Sequence, residues 1–212
     1  MLTAIIDYES GNLHSAEKAF QRMARETGAG QVVVTADADV VARADRLVLP
    51  GDGAFPACAR ALRGASGIYD AMVHAVEAQG RPFLGICVGM QLMARIGHEY
   101  EETPGLGWID GEVTRITPSD PALKVPHMGW NDLVIDTPHP VLAGVATGDH
   151  AYFVHSYQMA VATPAQRLAH VDYGGEVTAI VARDTMIGFQ FHPEKSSAAG
   201  LRMIANFLTW AP

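Results

Sequence analysis

Cysteine is scarce in this sequence: Cys58 and Cys87 are the only two among 212 residues. Two cysteines cannot build a framework of several disulfides, and their spacing matches no metal-ligand pattern. No Cys/His grouping has zinc-binding spacing either, so neither a metal nor a cofactor is expected. Runs of lysine or arginine are absent, and the net charge is −8, from 15 basic and 23 acidic side chains. That balance leaves no broad basic face for nucleic acid or an anionic membrane. No apolar stretch approaches the roughly 20 residues that span a bilayer. The opening MLTAIIDYES turns acidic too soon for a signal peptide. A protein of the reducing cytoplasm is the expectation. Internal repeats, low-complexity tracts and long linkers are also missing, so residues 1–212 are expected to form one domain.

What remains is 49% hydrophobic and 18% charged, the composition of a protein that folds around a core. The first half alternates short β-like runs with amphipathic segments. Leu2 to Asp7, Gln31 to Thr35, Arg46 to Pro50 and Phe83 to Ile86 read as strands. From Leu13, the apolar residues Ala16, Phe20, Met23 and Ala24 keep helical spacing, and further helices are expected over 68–79 and 88–96. This order predicts an α/β fold with an open, mostly parallel sheet flanked by helices. After Gly105 the texture changes to strand-like runs at 109–116, 129–135, 152–157, 167–173, 177–182 and 186–191, punctuated by Gly and Pro. An added antiparallel or mixed strand region follows, closed by a helix from Ser197 to Trp210.

Chemistry concentrates in PFLGICVGMQLM, residues 82–93. A nucleophile at the end of a strand is raised above the sheet when the chain turns abruptly into a helix, and that crowded turn needs small residues two before and two after it. Gly85 and Gly89 flank Cys87 at those distances. The turn also sets Cys87 at a helix N-terminus, which favours the thiolate, and directs the Val88 N–H to an oxyanion. The plainer reading is a buried cysteine in a glycine-flanked βα turn.

A cysteine nucleophile gains from a histidine that takes its proton and returns it to a leaving group. Of nine histidines, His192 in GFQFHPEKSS stands directly after a strand-like run, with Glu194 two residues on. Pro193 biases His192 towards extended backbone, so both side chains are expected on one side. A carboxylate on one ring nitrogen fixes the tautomer and leaves the other for sulfur. The alternative is an exposed loop with a Glu194–Lys195 pair. LVLPGDGAF, residues 47–55, places Gly51 and Gly53 after the third strand, at the sheet edge shared with Cys87. Their backbone freedom can aim an N–H at the reacting oxygen; an ordinary β-turn is the alternative.

Taken together, DYESGNLHSA, LPGDGAF, GICVGMQLM, GLGWIDGEV, KVPHMGWN, YFVHSYQ and GFQFHPEKSS resemble the class I, triad-type glutamine amidotransferases. The GNLHS, PHMGWN and FVHSY blocks narrow the resemblance to the glutaminase subunits of imidazole glycerol phosphate synthases. The resemblance implies that Cys87 attacks the side-chain amide of L-glutamine, that His192 protonates the ammonia, and that Glu194 orients His192. It places the oxyanion on the Val88 N–H and one from Gly51-Asp52-Gly53, and holds glutamine with Gln91, Ser156 and Tyr157, and Glu99 as a looser match. It implies delivery of ammonia to a separate (βα)₈-barrel cyclase subunit of histidine biosynthesis, with Asn12, Trp130, Tyr152 and Lys195 at or near that heterodimer interface. Lys18, Arg22 and Arg25 share a helix face that could meet an acidic barrel surface or simply be solvated. Two residues depart from the pattern: Glu9 where many relatives carry glycine, and Asp52 where a small apolar residue is common. A carboxylate aimed at an oxyanion would oppose catalysis, so Asp52 is expected to point outward and to act only through its N–H, after a peptide flip.

Three other readings compete: a glutaminase of another pathway, a silent regulator of a barrel enzyme, and a cysteine sensor or hydrolase on a similar sheet. The first would carry other motifs around the elbow. The second has no use for an intact Cys, His and Glu set. The third leaves His-Pro-Glu without a purpose.

Overall fold

In the computed structural model, which describes residues 1–212, the short β-branched runs of the first half form parallel strands. They are β1 (Leu2–Ile6), β2 (Gln31–Thr35), β3 (Arg46–Gly51) and β4 (Phe83–Cys87), with β3 and β4 buried along their whole length. Between them run α1 (Leu13–Thr27), α2 (Ala38–Arg43), α3 (Phe55–Gly64) and α4 (Ile68–Val73). Helix α1 buries Ala16, Phe20, Met23 and Ala24, the stripe its spacing predicts. Asn12 caps its start by accepting from the Ser15 N–H, and left-handed Gly28 ends it. Residues 74–78 continue α4 as a π-helical turn rather than as regular helix. Helices α2 and α3 were not among the sequence expectations, being short and mixed in composition.

The helix expected over 88–96 is only α5 (Val88–Gln91). It stops because the loop at 105–109 takes the carbonyls ahead of it: the N–H groups of Leu106, Ile109, Gly107 and Gly105 donate to Leu92, Met93, Ala94 and Arg95. Strands β5 (Ile96–Gly97), β6 (Thr103–Pro104) and β7 (Gly111–Arg115) follow, then β8 (His127–Asp132) and β9 (Val134–Ile135). The expected strand at 129–135 is therefore two, broken at buried Leu133. The run at 152–157 also divides at Ser156, into β10 (His150–His155) and β11 (Tyr157–Val161), which belong to different sheets. Strands β12 (Arg167–Asp172), β13 (Glu176–Arg183) and β14 (Met186–Phe189) precede α6 (Ser197–Thr209).

The main sheet has eight strands in the order β2-β1-β3-β4-β14-β13-β12-β9. It is parallel through β14 and antiparallel beyond it, so the late strands extend the early sheet. A four-stranded sheet, β11-β7-β5-β6, and the hairpin-like pair β10-β8 stand apart from it. Helix α1 packs on α6 and α2 on α4. Buried Arg46 secures the end of α6 by donating to the carbonyls of Phe207 and Trp210, where a cation also meets the negative end of the helix dipole. No helix is long and apolar enough to cross a membrane.

Candidate active site

Strand β4 ends at Cys87, whose φ of 55° and ψ of −113° lie where residues other than glycine rarely sit. Packing holds it there. A Cβ on Gly85 would stand 2.6 Å from the Gly89 carbonyl oxygen, and one on Gly89 only 1.8 Å from that of Leu49. Both oxygens are backbone atoms, one in α5 and one in β3, and neither can give way as a flexible side chain would, so the turn tolerates only glycine at both places. Cys87 is buried at the start of α5. With one turn of helix behind it, the dipole contribution to the thiolate is smaller than a helix to residue 96 would provide.

His192 lies just past β14, the sheet neighbour of β4. Its backbone is extended (φ −93°, ψ 100°), as Pro193 requires, but Glu194 returns to it through a single 3₁₀ turn at 193–195 rather than along an extended chain. Imidazole Nδ1 and Glu194 Oε1 are 2.9 Å apart, and both side chains are buried. Burial alone would lower the His192 pKa; hydrogen bonding to Cys87 and to Glu194, and their negative charge, outweigh it and raise the value to about 10. The ring of His192 is thereby held towards its protonated form.

These groups share a cavity of about 330 Å³. Of the residues anticipated from sequence, Asp52, Gly53, Cys87, Val88, Gln91, Glu99, Ser156, Tyr157 and His192 line it. Glu194 stands behind His192. Gly51 is the buried register partner of Cys87 across β3 and β4. Glu99 also accepts from the Phe55 N–H at 2.7 Å, supplying the cap that α3 lacks locally. Both amide hydrogens of Gln91 are taken, one by the Tyr157 carbonyl and one by Gln190 Oε1, at 3.0 Å each. That leaves Gln91 Oε1 as an acceptor.

The 51–53 turn is held from the side of the first loop. Ser10 Oγ accepts from the Asp52 N–H (3.2 Å) and donates to the Asp52 carbonyl (2.9 Å), which Cys58 also meets through its thiol. Burial pushes the Cys58 thiol up, keeping it a donor. The Asp52 carboxylate accepts from the Gly11 N–H at 3.0 Å. Asp52 thus forms part of the cavity wall while its carboxylate is engaged on the first loop, and its N–H is occupied by Ser10 rather than free for an oxyanion.

None of the anticipated interface residues lines the cavity. Asn12 is the α1 cap, Arg22 pairs with Glu26 on its own helix, and Lys18, Arg25 and Lys195 are exposed. Trp130, 54% exposed, meets Tyr152 edge to face across β8 and β10, and Met128 on the same strand is 62% exposed.

Sequence reasoning passed over Gln190, His155 and His127. Gln190 is fully buried and directs its amide towards the Cys87 sulfur at 3.9 Å. His155 lines the cavity and bonds to His127, its register partner on β8. The alternation of β10, which buries Ala151, Phe153 and His155, was the available signal for His155.

Comparison with known proteins gives a consistent picture. The family model for glutamine amidotransferase class-I matches residues 4–210. The chain is similar to the imidazole glycerol phosphate synthase subunit HisH of Ruegeria pomeroyi, at 79% identity over all of both chains. It is likewise similar to those of Cereibacter sphaeroides, at 70%, and Rhodospirillum rubrum, at 58%, again end to end. Among solved structures, a glutamine amidotransferase covers 97% of this chain and 98% of its own at a TM-score of 0.72 and 19% identity. The PurLQS structure from Thermotoga maritima covers 98% and 97% at a TM-score of 0.69 and 18% identity, a likeness of fold.

Proposed function

The chain belongs to the class-I glutamine amidotransferase family, in its imidazole glycerol phosphate synthase HisH branch, and from that premise we propose how its residues divide the hydrolysis of glutamine. Cys87 adds its sulfur to the γ-carboxamide carbon, and the C–N bond breaks as His192 gives its proton to departing ammonia. His192 then takes a proton from water, which attacks the γ-glutamyl thioester and releases glutamate and the thiol. Glu194 holds the imidazolium and its tautomer. Strained Cys87, in one cavity with a His192 raised by sulfur and carboxylate together, is the observation that carries this assignment.

Gln91 Oε1 accepts from the substrate carboxamide, which distinguishes glutamine from glutamate because a carboxylate has no hydrogen to offer. Ser156, Tyr157 and Glu99 surround the rest of the substrate. The Val88 N–H is one oxyanion donor. The second comes from the 51–53 turn once its peptide leaves Ser10, a rearrangement that substrate or partner favours by population shift.

Ammonia passes to a (βα)₈-barrel cyclase subunit that forms imidazole glycerol phosphate and the aminoimidazole carboxamide ribotide, in the cytoplasm. Apolar Met128 and Trp130, two residues apart and exposed on one face of β8, support a docking surface there, with Tyr152 packed against Trp130; Asn12, Lys18, Arg22 and Lys195 are assigned to the same interface by the family resemblance alone. Residues 1–212 act as one domain, since the main sheet draws strands from both halves. Glutamate release, measured with and without the cyclase and its nucleotide substrate, tests the assignment. Stimulation by the cyclase is expected; stimulation by a different synthase alone would move the protein to another pathway.

A further inference from the structure

His127 and His155 are buried, 2% and 6% exposed, at opposite positions of β8 and β10. Their hydrogen bonds have one consistent direction. His155 Nδ1 is 2.8 Å from the Tyr157 carbonyl oxygen, which can only accept, so that nitrogen carries the hydrogen. Burial lowers the pKa of His155 to about 3 and that of His127 to about 4, so both rings are neutral. His155 Nε2 is then bare and accepts from His127 Nδ1 at 3.1 Å. His127 Nε2 is bare in turn and takes a hydrogen from Asn131 Nδ2 at 3.3 Å. The other Asn131 hydrogen goes to the Asp172 carbonyl, and Asn131 Oδ1 accepts from the Asp132 N–H.

The far end of this chain is the oxygen that also orients Gln91, since the Tyr157 carbonyl receives both His155 Nδ1–H and Gln91 Nε2–H. The neighbouring Ser156 carbonyl is fixed by the Ile116 N–H at 2.9 Å. Two apolar side chains would fill the same volume without the desolvation cost of two imidazoles. Aromatic stacking of His127 on Phe153 and Tyr173 accounts for its ring but not for its nitrogens.

We propose that His127 and His155 are positioning residues for glutamine: together they tie the Tyr157 carbonyl, and through it the Gln91 amide, to Asn131 on the partner-facing strand β8. The proposal rests on the glutamine reading of the cavity. It makes the substrate site responsive to any shift of the strand that carries Met128 and Trp130. Loss of the chain loosens the Tyr157 carbonyl and leaves Gln190 Oε1 as the one firm hold on the Gln91 amide, which weakens carboxamide binding while Cys87 and the His192–Glu194 pair stay in place.

The test is steady-state glutamate release by the full chain with its cyclase, for wild type, His127→Phe, His127→Asn and Asn131→Ala. Phe keeps the stacked ring and removes both hydrogen bonds; Asn restores a donor at the δ position. His127→Phe is expected to raise the KM for glutamine about tenfold, with kcat within about twofold, since of its two lost bonds only the one to His155 leads to the substrate site. His127→Asn is expected to recover to within about threefold of wild type, and Asn131→Ala to raise KM about threefold. Nitrogen-15 NMR of the wild-type rings at neutral pH is expected to show both as Nδ1–H tautomers. An unchanged KM in His127→Phe, or a fall confined to kcat, would overturn the proposal. So would equal losses in Phe and Asn variants that follow their loss of folded protein, or the opposite tautomer in either ring. If both His127 variants fail to fold, Asn131→Ala and the NMR tautomers decide alone. A wild-type complex that releases no glutamate defeats the glutamine reading itself, and this proposal with it.

Discussion

The elbow at the end of β4 and the turn at the end of β3 are register neighbours, with Gly51 opposite Cys87, yet they are held by different means. Around the elbow, backbone atoms press on both flanking glycines, and Cys87 has no other conformation to adopt. Beyond Gly51, which is packed as tightly as the elbow, the turn is looser: a Cβ on Gly53 would meet nothing within 4 Å, Asp52 is exposed, and hydrogen bonds to Ser10 and Gly11 hold it. Close packing gives one position; a few hydrogen bonds at the surface give a position that can be exchanged for another. Cys87 is thus fixed, while the Asp52 peptide, the second oxyanion donor of the proposed reaction, is held loosely enough to move.

The contrast can be tested from its strongest point downward. Cys87→Ala is expected to cut glutamate release by at least about 1,000-fold while barely moving the melting temperature, because the reaction loses its proposed nucleophile and the core loses one atom. Residual turnover near the wild-type rate would remove Cys87 from the chemistry. Gly89→Ala, with its methyl 1.8 Å from a carbonyl oxygen, is expected to cost more than about 3 kcal/mol in denaturant titration. Gly53→Ala, strained only by its φ of 94°, is expected to cost about 1 kcal/mol. Equal costs would erase the distinction between packed elbow and loose turn. Asp52→Ala frees the Gly11 N–H and is expected to raise glutamate release by the chain without its cyclase about threefold, at under about 1 kcal/mol of stability; Asp52→Asn, which keeps an acceptor, is expected to stay near wild type. A loss of activity in Asp52→Ala would mean that the Gly11 contact serves the active turn instead.

A last set of expectations concerns pH. His127 and His155 have pKa values lowered to about 4 and about 3. Their neutral contribution is complete above the unfolded value of about 6.5 and is lost as pH falls towards those values, because the unfolded chain then binds more protons. His192, raised to about 10, has the opposite sign: its contribution is complete below about 6.5 and is lost as pH rises towards 10. Stability measured against pH should therefore decline on both limbs, and His127→Phe should flatten the acid limb alone.

How much of this the sequence revealed depended on distance along the chain. The buried face of α1 and the small residues around Cys87 follow from local spacing, and both were legible. The early stop of α5 was not, because it is imposed by carbonyl acceptors engaged from a loop that begins at Gly105. Ser156 is legible as a strand residue and not as a corner, since the switch from one sheet to another is set by partners on β8 and β7. His127 and His155 are 28 residues apart, and only the register of β8 on β10 brings their rings together. The Gly11 and Ser10 groups that engage Asp52 lie 41 and 42 residues away in sequence, and only the fold reveals them.

The place of β14 has a consequence for synthesis on the ribosome. This strand, near the end of the chain, fills the slot between β4 and β13, and His192 follows it three residues later. Until residue 189 has emerged and docked, β4 has an open edge and the thiol at its tip has no imidazole beside it. A nascent or truncated chain that ends before β14 is therefore expected to carry an unaccompanied cysteine and to release no glutamate until that strand is inserted.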